Sequence, residues 1–402
     1  MHRLYPHGTG FFPELVFTAY PKISPPRALI PMVKPSNIIR HKQAPEVSKY
    51  GTPSVALCAD GKLIVTYWDY IAKKIYCSRI DDPMSIFSVD NCAKNATEYE
   101  FTAFTVAVGS WDKTAADTEY QHSRSKLFKN ALGDLLLIVY DPGHGTKKSR
   151  IQVWKSISGN GIDATDWALF GTVLDTATPA RGANAFNTEN TNIGCVNILS
   201  TGRIIFAYGR LTDHATSGGW VDWSYSVAYS DDNGLTWNSS IVQTPAALTG
   251  SVWGVGGIVE AANCIYTKCG YYSGGVLLRQ RFGYSLNFGL TWTLCDEFVK
   301  SGTEPDGVHL NCFSGVDYNF MFRSVAGSNV FKIYKSDKTA VLPLTLQTPY
   351  RSDIWTPIDT VTYNLGYHST QIEKLDYITT RLYIGIYMTT YQANLASGWY
   401  MG

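Results

Sequence analysis

Two stretches of the chain share one eight-residue pattern: SDDNGLTW at residues 230–237 and SLNFGLTW at residues 285–292. Each reads Ser-x-Asp/Asn-x-Gly-x-Thr-Trp. In such a segment the Asp or Asn side chain bonds the backbone of its own loop, the Gly supplies a positive φ, and the Thr-Trp pair resumes a strand. The pattern therefore predicts two equivalent hairpin turns, each with an indole ring placed to pack between sheets.

We predict that both turns serve the fold rather than contact a ligand, because each residue of the pattern has a role in turn geometry or packing. The ten residues that carry this structural role are Ser230, Asp232, Gly234, Thr236, Trp237, Ser285, Asn287, Gly289, Thr291 and Trp292.

The overall composition favours an all-β protein. Of the 402 residues, 17% are charged, 13% are aromatic and 35 are Gly. Low charge with many aromatics excludes a disordered chain, and this composition is typical of strands and tight turns. A net charge of +1 supplies no long-range field for a polyanion, so we exclude nucleic acid as a partner. No window holds 18 consecutive apolar residues, so we expect no membrane span.

A repeated unit extends beyond the two turns. It consists of an apolar strand, a turn with Gly or Asp, and a second strand rich in Ile, Val, Tyr and Phe. Three clear copies pair residues 54–57 with 64–68, 126–128 with 136–140, and 194–199 with 204–208. Weaker copies begin near Gly256, Val308 and Ser369. Six units spaced by roughly 55–70 residues fit a six-bladed β-propeller of four-stranded antiparallel blades.

The first 45 residues do not repeat. They are rich in Pro, and residues 14–20 are their only strand candidate. We therefore predict an N-terminal arm over residues 1–45 and a propeller over residues 46–402. The last unit has room for only three strands, so the arm is expected to close the ring. It could also dock on other virion or surface proteins.

The Ser-x-Asp/Asn-x-Gly-x-Thr-Trp pattern resembles the Asp box, or BNR repeat, of sialidases and their relatives. This resemblance covers most of residues 46–402 at the level of the blade pattern. It implies a six-bladed β-propeller whose boxes lie on the face away from the active site. In that family three arginines bind the substrate carboxylate, a Tyr paired with a Glu is the nucleophile, and an Asp is the acid/base.

The resemblance carries over only part of the arginine clamp. The family's first arginine precedes an Ile-Pro pair, and the closest segment here, residues 50–53, has Gly51 in its place. The second arginine corresponds to Arg210 and the third to Arg323. A clamp without its first member loses one charge-assisted pair, about 2 kcal/mol.

The same resemblance points to a catalytic set of Tyr367 as nucleophile, Glu189 as its partner and Asp69 as acid/base. We also expect ligand contacts from Arg124, His309 and Trp253, which fall where blades open onto the axis. Each of these residues has a structural alternative: a solvated loop charge, or a ring in the core or rim.

The eight cysteines show no CxxC spacing and no neighbouring His pair, so we expect neither a metal site nor a cofactor. Several lie in apolar runs, such as Cys58, which favours buried free thiols over disulfides. Free thiols and the absence of a recognisable secretory signal favour a virion or cytoplasmic location, with secretion as the alternative if a signal has been removed.

Three functions remain open at this point. An exo-sialidase needs the full arginine clamp, which Gly51 interrupts. A glycoside hydrolase of changed specificity could use two arginines and the carboxylates near the axis. A glycan-recognition module needs only aromatic platforms and hydrogen-bonding loops. We favour surface-glycan recognition, as in a tail or receptor-binding protein of a bacterial virus, over an active hydrolase.

Overall fold

The computed structural model describes residues 50–69, 74–80, 96–101, 124–141, 150–175, 193–211, 223–243, 251–273, 276–295, 298–299, 311–314, 318–324, 330–344, 355–362, 368–374, 381–388 and 395–401. Within these ranges every strand pair is antiparallel. The described helical structure is one 3-10 turn at Ala164–Asp166, and no described helix could span a membrane. The all-β prediction is confirmed.

The first three sheets each contain four strands, joined in chain order. The first sheet comprises β1 (Tyr50–Leu57), β2 (Leu63–Asp69), β3 (Lys74–Ile80) and β4 (Ala96–Glu100). The second comprises β5 (Arg124–Lys129), β6 (Leu135–Asp141), β7 (Arg150–Ser156) and β8 (Trp167–Asp175). The third comprises β9 (Asn197–Ile198), β10 (Ile204–Leu211), β11 (Trp223–Ser230) and β12 (Asn238–Gln243).

Of the later sheets, the fourth and the last depart from this plan at their outer edges. The fourth comprises β13 (Ser251–Glu260), β14 (Ile265–Ser273), β15 (Val276–Ser285) and β16 (Thr293–Leu294), with β17 (Phe298–Val299) also paired to β15. The fifth comprises β18 (Asn311–Ser314), β19 (Tyr318–Ser324), β20 (Val330–Asp337) and β21 (Thr356–Thr362). The last, described with three strands, comprises β22 (His368–Lys374), β23 (Arg381–Met388) and β24 (Leu395–Met401).

The turns between the first and second strands repeat in detail. Gly61, Gly133 and Gly202 have φ values of +83°, +83° and +84° in the first, second and third sheets. In each of these turns the glycine N–H donates to the carbonyl three residues earlier, at 2.9–3.1 Å. The three hairpins predicted from the sequence are therefore present as structurally equivalent units.

Apolar cores fill the gaps between successive sheets because each sheet is apolar on both faces. Between the first and second sheets, Ile64 and Cys77 meet Leu137 and Trp154. Further cores lie between the second and third sheets, the third and fourth, and the fourth and fifth. Strand β22 contacts both β18 and β1, so the last sheet lies against the fifth and the first.

The sheets share two ends, and the strand direction shows to which end each turn and each strand terminus belongs. The first end, here called the turn face, carries the turns between first and second strands and the segments that follow β7, β11, β15 and β20. Bonds between sheets join these turns: Ala59 N–H donates to the Gly159 carbonyl at 3.0 Å, and Ala262 N–H to the Ala340 carbonyl at 3.1 Å. The second end, the far face, is where β1, β5, β13 and β22 begin and where β2, β10 and β19 end.

The predicted arm over residues 1–45 lies outside the described residues, and its closure of the ring stays a prediction. The described part of the last sheet has the three strands that the sequence allowed it.

Candidate functional site

The first box-like turn, residues 230–237, is held by its own side chains. The Ser230 hydroxyl donates to Asp232 Oδ1 at 2.8 Å and accepts from the Gly234 N–H at 2.9 Å. Asp232 also accepts from the Thr236 N–H and hydroxyl, at 2.8 and 2.5 Å. Burial alone would raise the pKa of Asp232, but the bonds from Thr236 and Ser230 outweigh it and hold the pKa below its usual value. Both oxygens of this carboxylate therefore accept hydrogen bonds from within the turn.

The second turn, residues 285–292, has the same bonds with an amide in place of the carboxylate. The Ser285 hydroxyl accepts from the Gly289 N–H at 2.8 Å, and Asn287 Oδ1 accepts from the Thr291 N–H at 2.9 Å. Gly289 has a φ of +94°, and Gly234 in the first turn has +100°. The predicted turn geometry is thus present in both copies.

Each turn also connects its sheet to the preceding one. Asn130 of the second sheet donates through Nδ2 to the Asn233 carbonyl at 3.1 Å. At the equivalent place one sheet later, Arg203 donates through Nη1 to the Phe288 carbonyl at 2.7 Å. Ser240 adds a bond to the Gly289 carbonyl at 2.6 Å. The two turns therefore connect neighbouring sheets.

Trp237 closes the first turn and packs on the core between the second and third sheets. Its ring lies edge-on to Phe206 with centroids 5.4 Å apart, and its Nε1–H donates to the Gly234 carbonyl at 2.7 Å.

Because the indole is only half-buried, we expect Trp237→Ala to lower the free energy of unfolding by about 2–3 kcal/mol, below the cost of deleting a fully buried aromatic. Urea denaturation measures this. Loss of glycan binding with unchanged stability would contradict the structural role.

A third turn of this kind follows β7 and was missed by sequence reasoning. The Ser156 hydroxyl accepts from the Gly161 N–H at 2.9 Å, as Ser230 does from Gly234. The Trp167 Nε1–H donates to Tyr99 Oη at 2.9 Å, and that hydroxyl donates to the Gly161 carbonyl at 2.6 Å. The turn is longer than the other two, so the fixed eight-residue pattern does not find it. A search for Ser, Gly and Trp with variable spacing would have found it.

Five of the predicted site residues lie at one end of the sheets. Asp69 ends β2 opposite Tyr50, and Arg124 begins β5 opposite Tyr140. The other three are Arg210 of β10, Trp253 of β13 and Arg323 of β19, paired with Ser224, Gly270 and Lys332 respectively. All five positions are on the far face, opposite the two box-like turns.

The remaining predicted site residues, Glu189, His309 and Tyr367, lie outside the described residues. Tyr367 directly precedes His368, the first residue of β22, and β22 contacts β1. Gly51, which stands where the family has its first arginine, is the second residue of β1 and pairs with Trp68.

Two buried polar residues next to these positions were not singled out in the sequence. Lys126 is two residues beyond Arg124 on β5 and is 2% exposed. Tyr208 is two residues before Arg210 on β10 and is 1% exposed. Tyr208 packs in the core between the second and third sheets, and alternation along β5 puts Lys126 on the same side as Phe128 of that core. A lysine inside an apolar strand pattern is the sequence feature that could have indicated this position, because lysines are rarely fully buried.

Cys58, Cys77 and Cys264 are buried free thiols. Cys195 is also buried, and Cys295 is partly exposed. Burial raises the pKa of the Cys264 thiol to about 11, so this sulfur is protonated at neutral pH. Among the described residues, no group of three or more His, Cys, Asp or Glu is arranged to hold a metal ion.

Comparison with known proteins relates the chain to carbohydrate-active proteins. No family model matches it. Over 139 residues it is 32% identical to a sialidase of Clostridium perfringens, a match that covers 28% of this chain and 34% of that sialidase. The chain thus spans about a third of this relative's length.

Two solved structures cover nearly the whole chain. The α-L-arabinofuranosidase Arb93A of Fusarium graminearum superposes with a TM-score of 0.54 at 12% identity, covering 92% of this chain and 97% of the enzyme. A protein of unknown function from Dyadobacter fermentans gives a TM-score of 0.50 at 13% identity, covering 91% of this chain and 99% of its own. At these identities the likeness shows the fold alone. The chain therefore has a β-propeller fold of the kind found in sialidases and in some other glycoside hydrolases.

Proposed function

We propose that this protein recognises a surface glycan at the far face of its propeller. One observation supports this above the others: Asp69, Arg124, Arg210, Trp253 and Arg323 share that end of the sheets. Three of the five are arginines, which bind planar anions through paired hydrogen bonds. An acidic glycan is therefore the ligand of choice.

The proposal also covers the number of blades, the box-like turns, the N-terminal segment and the location of the protein. We take the six described sheets to be the six blades of a single propeller, with the box-like turns as Asp boxes of the sialidase type. A strand from residues 1–45 would complete the last blade. We also propose that the protein is carried on a virion, since buried free thiols fit folding in a reducing compartment where such particles are assembled.

A second candidate function is glycoside hydrolysis, and the relation to a sialidase and to the fold of an arabinofuranosidase favours it. In that case Tyr367 with Glu189 would supply the nucleophile and Asp69 the acid/base. Binding without turnover remains our first choice because Gly51 occupies the place of one clamp arginine.

A glycan array followed by a reducing-sugar assay on the bound glycans separates the two functions. We expect binding of acidic glycans and no hydrolysis of a fluorogenic sialoside. If the protein hydrolyses the sialoside and Tyr367→Phe abolishes this turnover, glycoside hydrolysis replaces glycan recognition as the function. Absence of both binding and turnover on acidic glycans would exclude the proposed ligand class.

We expect Arg210→Ala to weaken glycan binding about tenfold, because it removes one charge-assisted contact of roughly 1.4 kcal/mol. Arg203→Ala is the matched control, since Arg203 belongs to the same hairpin but lies on the turn face, bound to Asp231 at 2.7 Å. The control should bind glycan as the wild type does. Equal affinities in both variants would move the binding site away from Arg210.

A further inference from the structure

Among the described residues, the turn face carries eight exposed large apolar side chains. Ten such side chains are exposed, and eight of them lie on the turns of this face, in the second to fifth sheets. The six most exposed of these eight, between 47% and 73%, are Leu132, Ile157, Ile162, Leu235, Leu286 and Val341. The two of the ten that do not lie on these turns, Leu169 and Ile241, are on the outer strands β8 and β12.

These turns form one continuous rim rather than separate loops. Leu132 is two residues from Asn130, whose side chain bonds the Asn233 carbonyl, and Leu235 follows two residues later. Val341 precedes Leu342, whose N–H donates to Asn263 Oδ1 of the fourth sheet at 3.0 Å. An apolar residue is thus presented at each step along the rim.

Several charges on this face are paired with one another. Four ion pairs have a member on its turns: Arg79 with Asp60, Lys155 with Asp134 at 2.8 Å, Arg203 with Asp231 at 2.7 Å, and Lys338 with Glu260 at 2.9 Å. The groups of these ion pairs are already bonded to one another, so they are not available to a strongly charged ligand. The face suits an apolar partner that carries no large net charge.

We propose that this partner is a second copy of the chain, bound turn face to turn face about a two-fold axis. Each exposed apolar side chain offers on the order of 60–100 Å² of surface. Eight of them approach the roughly 800 Å² that each partner buries in a standard interface. A net charge of +1 for each chain adds little long-range repulsion between two copies. An isologous contact also closes on itself, so each apolar rim is covered once.

Such a dimer leaves both far faces pointing outward. If glycan is bound there, two sites on one particle would raise the effective affinity for a surface that displays many copies of the glycan. The dimer itself does not depend on the proposed function, and its test uses no glycan.

Sedimentation velocity of the purified full chain, from about 0.1 to 50 μM, tests the proposal. This concentration range is chosen because interfaces of standard size support micromolar or tighter association. We expect a species of twice the 44.5 kDa chain mass, and we expect Leu286→Glu and Val341→Glu each to weaken dimerisation at least tenfold. Leu169→Glu and Ile241→Glu add the same charge on the outer strands and should leave the dimer intact. Circular dichroism and melting temperature show that each variant is folded.

A wild-type chain that stays monomeric over the whole range overturns the proposal. So does a dimer that both turn-face variants leave as tight as the wild type, or one that the outer-strand controls weaken equally. Should one turn-face variant fail to fold, the other carries the test, because the two lie in different sheets.

Discussion

Replacing Asp166 with alanine is expected to lower the free energy of unfolding by about 3–4 kcal/mol, because four hydrogen bonds end on this one buried carboxylate. Asp166 is 6% exposed. It accepts from the Ser156 hydroxyl at 2.7 Å, from the Ser158 N–H and hydroxyl at 2.8 and 2.7 Å, and from the Ile162 N–H at 3.1 Å. Alanine leaves these donors without a partner in the turn that links the first and second sheets.

Urea denaturation of Asp166→Ala measures this effect, and Asp163→Ala is its matched control. Asp163 lies in the same turn and accepts from Thr165, but it is exposed, so water can replace its bonds. The control should shift the midpoint far less. Similar midpoints for the two variants would show that the Asp166 bonds contribute no more than those of a surface carboxylate.

Acid titration gives a second readout on the same carboxylate. Burial by itself would raise the pKa of Asp166, but bonds from Ser156, Ser158 and Ile162 outweigh it and hold the pKa below its usual value. A folded-state pKa below the unfolded one stabilises the fold above about pH 4, and this contribution is lost as the pH falls through the folded-state value. Asp166→Ala should therefore lose less stability than the wild type between about pH 4 and pH 2.

Gly171→Ala is expected to destabilise the protein by about 3 kcal/mol, at the upper end of overpacking costs. Gly171 lies in β8, against the box-like turn of the third sheet. A Cβ there would stand 2.6 Å from the Gly234 carbonyl oxygen and 2.8 Å from that of Leu235. Both contacts are with backbone atoms, which cannot rotate away as a side chain can. The turn or the whole strand must shift, and the second and third sheets must separate.

Thr172→Ala is the control for this substitution, since Thr172 is the next residue of β8 and is exposed. It should leave the melting temperature close to that of the wild type. A Gly171→Ala variant as stable as this control would mean that the turn at residues 230–237 can move without cost.

Local patterns made much of the fold predictable. The hairpins around Gly61, Gly133 and Gly202 could be predicted because alternating apolar residues and a glycine turn act over a few neighbouring positions. The turns at 230–237 and 285–292 could be predicted for the same reason, since the bonds that shape them run between residues two to four apart. The turn at 156–167 does not fit the eight-residue pattern because it is longer, and some of its bonds come from Tyr99, in another sheet.

The candidate site was less predictable. A strand residue reveals in sequence which neighbours it has, but not which end of which sheet will stand beside it. Lys126 and Tyr208 are separated by 82 positions, and only the packing of the second sheet on the third puts both on one core. The exposed leucines of the turn face could not be told from core leucines by their spacing.

Local hydrogen bonds and side-chain alternation decide the β-architecture, the repeated hairpins and the geometry of the turns at residues 230–237 and 285–292, so these features could be predicted from the sequence. Local patterns did not reveal that Asp69, Arg124, Arg210, Trp253 and Arg323 share one face, or that exposed apolar side chains lie on the turns of the other. Those facts depend on contacts between residues far apart in the chain, whose partners are chosen by the packing of whole sheets.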